Sequence, residues 1–226
     1  MIVNDTLKEA KVEKQTVSEA DLEAINRYTL RELTAEEVFT FRLAACDNQV
    51  DRDGERFSDR TLEELAGLFL GKPVLLDHNW SAKDQTARVY GGHVETDADR
   101  SEVKRLILQC YAPRLNSTQR AIEAIETGLR KECSVGCAIK QHLCSICGEN
   151  YYTNCLHIKG QEYAGKVCHV VLDGAADAYE VSMVAVPAQR EAGVVKAHDG
   201  KKPGGWTKLA RRMLELEQVR YGALRR

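Results

Sequence analysis

The stretch Lys131-Glu132-Cys133-Ser134-Val135-Gly136-Cys137-Ala138-Ile139-Lys140 decides the reading. Small and β-branched residues lie between two lysines, the pattern of a short strand. Ser134 falls in its middle, with Gly136 two residues on. A second apolar run, Val74-Leu75-Leu76-Asp77-His78, delivers a histidine where the run stops. A hydroxyl is a poor nucleophile until a base takes its proton, and imidazole is the usual base. The sequence therefore predicts that Ser134 and His78 meet. Taken singly, each has a plainer reading: a small residue packed in a strand, and a surface histidine at a strand end.

Glu180 stands inside Ala178-Tyr179-Glu180-Val181-Ser182-Met183-Val184, a strand otherwise built for burial. A buried acid needs a partner, and a histidine would serve. Glu180 is thus a candidate to orient the imidazole, against an alternative of an edge glutamate facing water. Cys133 is a rival nucleophile, but strand alternation points it to the face opposite Ser134.

The 226 residues suffice for one well-buried domain with appendages, and the composition is that of a soluble protein: 43% hydrophobic, 29% charged, net charge −2. Such a balance argues against wholesale nucleic-acid binding. Residues 201–226 carry eight Lys/Arg and two Glu, hence +6, leaving −8 on the rest. No apolar run approaches the roughly 20 residues of a membrane helix, and the N-terminus shows no secretory pattern. A cytosolic setting is expected, in which eight cysteines point to metal or burial and not to disulfides.

Cys144-Ser145-Ile146-Cys147-Gly148 is a thiolate knuckle, Cys155-Leu156-His157 adds two donors, and Cys168-His169 follows. Cys144, Cys147, Cys155 and His157 complete a tetrahedral zinc set, with Cys168 able to replace His157. A closed four-ligand site is structural and leaves no position for a metal-bound water. The acidic run from Asp47 to Gly54 looks superficially like a calcium loop, but Ser58 stands where the bidentate Glu belongs.

Coarse organisation follows from caps and periodicity. Ser18 to Asp21 reads as a capping box opening a helix with Leu22, Ile25 and Leu33 available for one face. Val38–Leu43 alternates as a strand. A helix from Thr61 turns Leu62, Leu65 and Phe69 inward, with Gly71 as its stop. Strands are expected at 73–77, 87–95 and 102–111, and a third helix capped by Asn116-Ser117-Thr118 carries Ile122 and Ile125. Strands resume at 166–172 and 178–186. The expected organisation is an N-terminal helical segment (1–36), a main domain (37–196) with a Cys-rich insert (141–169), and a basic linker with a C-terminal amphipathic helix (197–226). The fold class is α+β: a mostly antiparallel, closed β-barrel-like sheet with flanking helices and a small zinc insert.

Four segments taken together resemble the prohead (capsid maturation) proteases of tailed bacteriophages, a family similar in fold to herpesvirus assemblin. They are Asp51-Arg52-Asp53-Gly54-Glu55-Arg56-Phe57, Leu76-Asp77-His78, Glu132-Cys133-Ser134-Val135-Gly136, and Tyr179-Glu180-Val181-Ser182-Met183-Val184-Ala185-Val186-Pro187-Ala188. The resemblance runs from about Val38 to Val195. It implies a serine endopeptidase that trims major capsid and scaffolding proteins inside an assembling procapsid in the host cytoplasm. By position, His78 is its base, Ser134 its nucleophile and Glu180 the matching acid. Assemblin uses a second histidine as third member, which leaves His93 and His169 open, and Arg190 is a candidate oxyanion donor. The Cys-rich insert resembles a zinc-bearing branch of these phage proteins. Self-cleavage and homo-oligomerisation stay open; membrane and nucleic-acid partners are not expected. The rival reading is a non-catalytic zinc-knuckle virion protein that binds nucleic acid or capsid chains through its basic tail. A further rival is an inactive relative whose serine and histidine have drifted apart.

Overall fold

A computed structural model of the chain describes residues 17–195. The basic linker and C-terminal helix expected over 197–226, and residues 1–16 of the N-terminal segment, lie outside the described residues. Among the described residues no helix is long and apolar enough to cross a membrane.

Among the described residues the architecture is α+β, with three α-helices on a mixed, mostly antiparallel eight-stranded sheet. Its elements are α1 (Glu19–Asn26), β1 (Val38–Asp47), β2 (Glu55–Phe57), α2 (Asp59–Leu68), β3 (Pro73–Leu76), β4 (Ala87–Thr96), β5 (Lys104–Pro113), α3 (Gln119–Glu126), β6 (Cys133–Cys144), β7 (Glu162–Tyr163), β8 (Lys166–Val167), β9 (Val170–Met183) and β10 (Gly193–Val195). β7 and β8 make a separate hairpin, and the others follow the order β10-β1-β5-β4-β3-β9-β2, with β6 also on β9.

β9 is the strand on which the site is built. It pairs antiparallel with β6 along its length, and parallel with β2 at its start and β3 at its end. This corrects the expectation of separate strands at 166–172 and 178–186. Asp173, Gly174 and Asp177 look like turn chemistry, yet the chain continues through them. Gly174 takes a φ of +73° there, its N–H donates to Thr61 Oγ1 at 2.8 Å, and the ladder absorbs irregularity by shifting register twice. β6 likewise runs on to Cys144, so the first metal-ligand candidate ends the strand that carries Ser134.

The expected barrel closure is not a continuous ladder. β10 pairs with β1, and Gly193 makes an isolated bridge to Glu132, just ahead of β6. Val194 N–H donates to the Lys131 carbonyl at 2.6 Å beside it.

Helix α2 begins at Ser58, whose hydroxyl accepts the Thr61 N–H at 3.2 Å. Leu62, Leu65 and Phe69 are fully buried, as their spacing predicts, and join the core under β4, β5 and β9. Gly71 sits past the end of α2 at φ +76°, conformational freedom that a side chain lacks. Ser18 and Asp21 form the predicted capping box of α1, which sets Ile25 against Val38, Tyr90 and Tyr111. Thr118 precedes α3 but caps it with no side-chain bond; its hydroxyl donates back to the Pro113 carbonyl instead. The loop after β9 is tied down too: Gln189 bonds both the N–H and the carbonyl of Asp47, and Arg52 bonds the Pro187 carbonyl. Two of the four resembling segments therefore meet there.

Candidate active site and metal centre

β3 ends at Leu76, and the next two residues both take left-handed backbone angles, φ +50° at Asp77 and +54° at His78. Non-glycine residues rarely adopt this region, and strained positions of this kind cluster at functional sites. The turn is held by the Asp77 N–H on the Met183 carbonyl (3.0 Å), and by the His78 N–H donating to Ser182 Oγ (3.0 Å). It folds the imidazole back over β9. His78 Nδ1 lies 2.7 Å from Glu180 Oε1. The Glu180 side chain is 2% exposed and that of His78 is 42% exposed. The buried acid thus has the partner that its burial demands.

The second carboxylate oxygen is also used. Ser182 Oγ–H donates to Glu180 Oε2 at 2.6 Å while Ser182 Oγ itself accepts the His78 N–H. One buried hydroxyl therefore fixes both the carboxylate and the backbone that carries the imidazole. A carboxylate only accepts, so this contact favours the imidazole form that carries a proton on Nδ1 and turns Nε2 away from Glu180.

Ser134 faces Ser182 directly across the β6–β9 ladder, and Gly136 faces Glu180. Opposed residues on antiparallel strands share a face, so Ser134, Ser182 and Glu180 lie on one side of the sheet. Gly136 is what lets the carboxylate lie flat there, since a Cβ at that position would run into Glu180 Oε1. The sequence-predicted residues are therefore gathered as follows. His78 and Glu180 are in direct contact, Ser134 lies one strand across on the same face, and no hydrogen bond joins Ser134 to His78. Ser182 and Gly136 were missed. Period-two alternation from Glu180 would have found the first, and a glycine interrupting a strand would have found the second.

The rival groups lie elsewhere. His93 Nε2 bonds Glu95 at 2.8 Å, and His169 Nδ1 bonds the Val167 carbonyl at 3.2 Å; neither bonds His78 or Glu180. Cys133 is fully buried on the opposite face, 3.6 Å from the Ala44 carbonyl. Burial, with Glu132 nearby, pushes its thiol up to about 12, which disfavours the thiolate a nucleophile requires. Arg190 is exposed.

At the far end of the same ladder, Cys144, Cys147, Cys155 and His157 bring their ligand atoms within 4.8 Å of one another. Cys147 Sγ to Cys155 Sγ is 3.7 Å, Cys144 Sγ to His157 Nδ1 is 3.7 Å, and Cys155 Sγ to His157 Nδ1 is 3.6 Å. Zinc–sulfur and zinc–nitrogen bonds of about 2.3 and 2.05 Å give tetrahedral edges of about 3.8 and 3.6 Å. These three edges match a tetrahedral site, and the four residues could hold a metal ion. Local structure supplies the geometry: Gly148 turns the knuckle at φ +76°, and the Ile146 N–H approaches Cys144 Sγ at 3.4 Å. Burial raises the Cys144 thiol, but the N–H groups of Cys147 and Ile146 and the neighbouring thiols outweigh it and bring the thiol down to about 6. Cys168 Sγ lies 3.8 Å from Cys144 Sγ but outside the four-atom group. His157 packs edge-on against Tyr163 at 4.5 Å, which ties the cluster to the β7–β8 hairpin.

In comparisons with known proteins, no family model matches this chain, and neither a curated protein nor a solved structure is significantly similar to it.

Proposed function

We propose that this chain is a serine endopeptidase of the prohead-protease kind, acting on capsid and scaffolding proteins during procapsid assembly in a host cytoplasm. The observation that carries the reading is a half-exposed imidazole seated by its Nδ1 on a carboxylate that is almost wholly buried. Such a pair is a base with a fixed tautomer, and a serine on the neighbouring strand supplies a nucleophile for it.

In the proposed reaction Ser134 Oγ attacks the scissile carbonyl carbon and its proton passes to His78 Nε2. The tetrahedral adduct expels the amine, which takes that proton, leaving an acyl ester on Ser134. Water, deprotonated by the same imidazole, releases the acid. Glu180 holds the Nδ1 side of the ring and stabilises the transient imidazolium. Ser134 and His78 close into hydrogen-bond contact when substrate binds, as catalytic bonds that are open in a free enzyme do.

The metal centre is read as structural zinc: four protein donors leave no open position, and β6 separates the cluster from Ser134 by ten residues, about 33 Å of extended chain. The bridge between β10 and Glu132 supports reading the sheet as a barrel closed at that seam. Co-expression with a capsid precursor tests the function: the wild-type chain is expected to shorten the precursor and Ser134→Ala to leave it intact, with the same fold by circular dichroism. Unchanged processing by Ser134→Ala would end the assignment.

A non-catalytic virion module stapled by zinc is the second reading. It is favoured by the missing Ser134–His78 bond and by the exposed Tyr152, Leu156, Ile158 and Val167 on the insert.

A further inference from the structure

Beside the His78–Glu180 pair lies a cavity of about 310 Å³, lined by Pro73 and Leu75 of β3, Trp80 and Ala82 of the following loop, and Tyr179 and Glu180 of β9. Two features mark it as built. First, Tyr179 and Glu180 are sequence neighbours and both line it, which strict strand alternation forbids. The ladder to β6 passes from Gly136 opposite Glu180 to Cys137 opposite Ala178, so Tyr179 is the unpaired residue of a bulge. A bulge re-aims a side chain, and here it turns Tyr179 toward the face that carries the acid. Second, Trp80 is 71% exposed and Tyr179 41% exposed, yet their rings stand 5.5 Å apart as a tilted pair.

The loop that holds Trp80 is internally bonded. The Asn79 N–H donates to the Leu76 carbonyl at 2.9 Å, the Ser81 N–H to the Asn79 carbonyl at 2.7 Å, and Asn79 Nδ2 to Asp84 at 2.6 Å. The indole is therefore displayed by a fixed turn. Lys72 at the rim is neutralised by Asp177 at 3.4 Å. What remains is an aromatic-walled recess, with Pro73, Leu75 and Ala82 as its apolar lining and Ser81 and Gln85 as polar neighbours, that opens beside the Glu180 carboxylate. Its volume is at the low end for ligand pockets, the size for one side chain and not for a whole cofactor.

We infer that this recess is a specificity pocket that takes one large aliphatic or aromatic side chain of an extended peptide substrate lying alongside the His78–Glu180 pair. The inference rests on the peptidase reading for its substrate class. Its test separates the two.

Full-length Ser134→Ala protein carrying 5-fluorotryptophan is titrated with N-acetyl-phenylalanine amide and, separately, with N-acetyl-aspartic acid amide. The chain has two tryptophans, and Trp80→Phe assigns the Trp80 ¹⁹F signal. A saturable shift of that signal with the phenylalanine probe alone, weakened about tenfold or more by Tyr179→Ala, is the expected result. No shift, or an equal shift with the acidic probe, overturns the pocket. In a second arm the unsubstituted chain digests an unfolded protein and the cut sites are read by mass spectrometry. Enrichment of large apolar residues at one position, reduced about tenfold or more by Trp80→Ala, is expected. A cut pattern unchanged in both Trp80→Ala and Tyr179→Ala overturns the pocket and leaves the peptidase standing. Probe binding without any cutting overturns the peptidase and leaves the pocket standing.

Discussion

Gly136 faces Glu180 across the β6–β9 ladder, and the missing side chain of the one is the space occupied by the carboxylate of the other. Gly136→Ala is therefore expected to act on the site as much as on the fold. Overpacking of this kind costs about 1–3 kcal/mol, and the displaced carboxylate would leave His78 Nδ1. The expected outcome is a lowered thermal midpoint, together with a change in the His78 ring ¹⁵N shifts that a distant substitution of equal cost does not produce. A glycine replacement that leaves those shifts untouched would show that the carboxylate does not depend on this space.

Ser182 holds two partners at once, the Glu180 Oε2 and the His78 N–H. Ser182→Ala should cost about 1–3 kcal/mol, because a buried carboxylate oxygen and a backbone donor lose their bond together. On the peptidase reading kcat should fall at least tenfold with KM nearly constant, and Ser182→Thr should recover part of it. A drop confined to thermal stability, with kcat intact, would make Ser182 a packing residue and nothing more.

The sequence made some of this legible and hid the rest for identifiable reasons. Helix α2 was readable from its apolar spacing, which acts within one or two turns, but its cap is Ser58 and not a residue at the expected start, Thr61. The knuckle was readable because Cys144 and Cys147 are close enough in the chain for spacing alone to set geometry. Glu180 was readable as an acid in an apolar strand. The single long β9 was not, since Asp173, Gly174 and Asp177 carry turn chemistry that is overruled by pairing with β6 and by the Gly174 and Ala175 N–H groups donating to Thr61 and Glu64 of α2. Nor was the reach of His78 over β9, which depends on two consecutive left-handed residues that neither Asp77 nor His78 advertises. Tyr179 lines the same recess as Glu180 because of a bulge set by pairing with Gly136 and Cys137, far back in the chain.

Removal of metal should unravel one end of the molecule and spare the other. With zinc as the expected ion, one equivalent should co-purify, and Cys147→Ser should abolish it. Chelation should lower the thermal midpoint and expose the β7–β8 hairpin to proteolysis, while amide exchange around β3 and Ser182 stays slow. The pH dependence has a definite sign. Thiolates and a neutral imidazole hold the ion, so protons compete with zinc for Cys144, Cys147, Cys155 and His157 and binding releases protons. Zinc retention should therefore weaken as pH falls. Loss of zinc with no change in hairpin protection would remove the metal from the structural account. Zinc loss in Cys168→Ser with retention in His157→Ala would transfer the fourth ligand to Cys168.

The most direct measurement concerns the hydroxyl itself. Full-length protein is treated with a fluorophosphonate, digested, and the modified residue located by mass spectrometry, alongside His78→Ala and Glu180→Gln. The account predicts a single phosphonyl adduct on Ser134, absent in His78→Ala and formed at least tenfold more slowly in Glu180→Gln. An unmodified Ser134 in the folded wild-type chain, or labelling that is indifferent to His78, would contradict it.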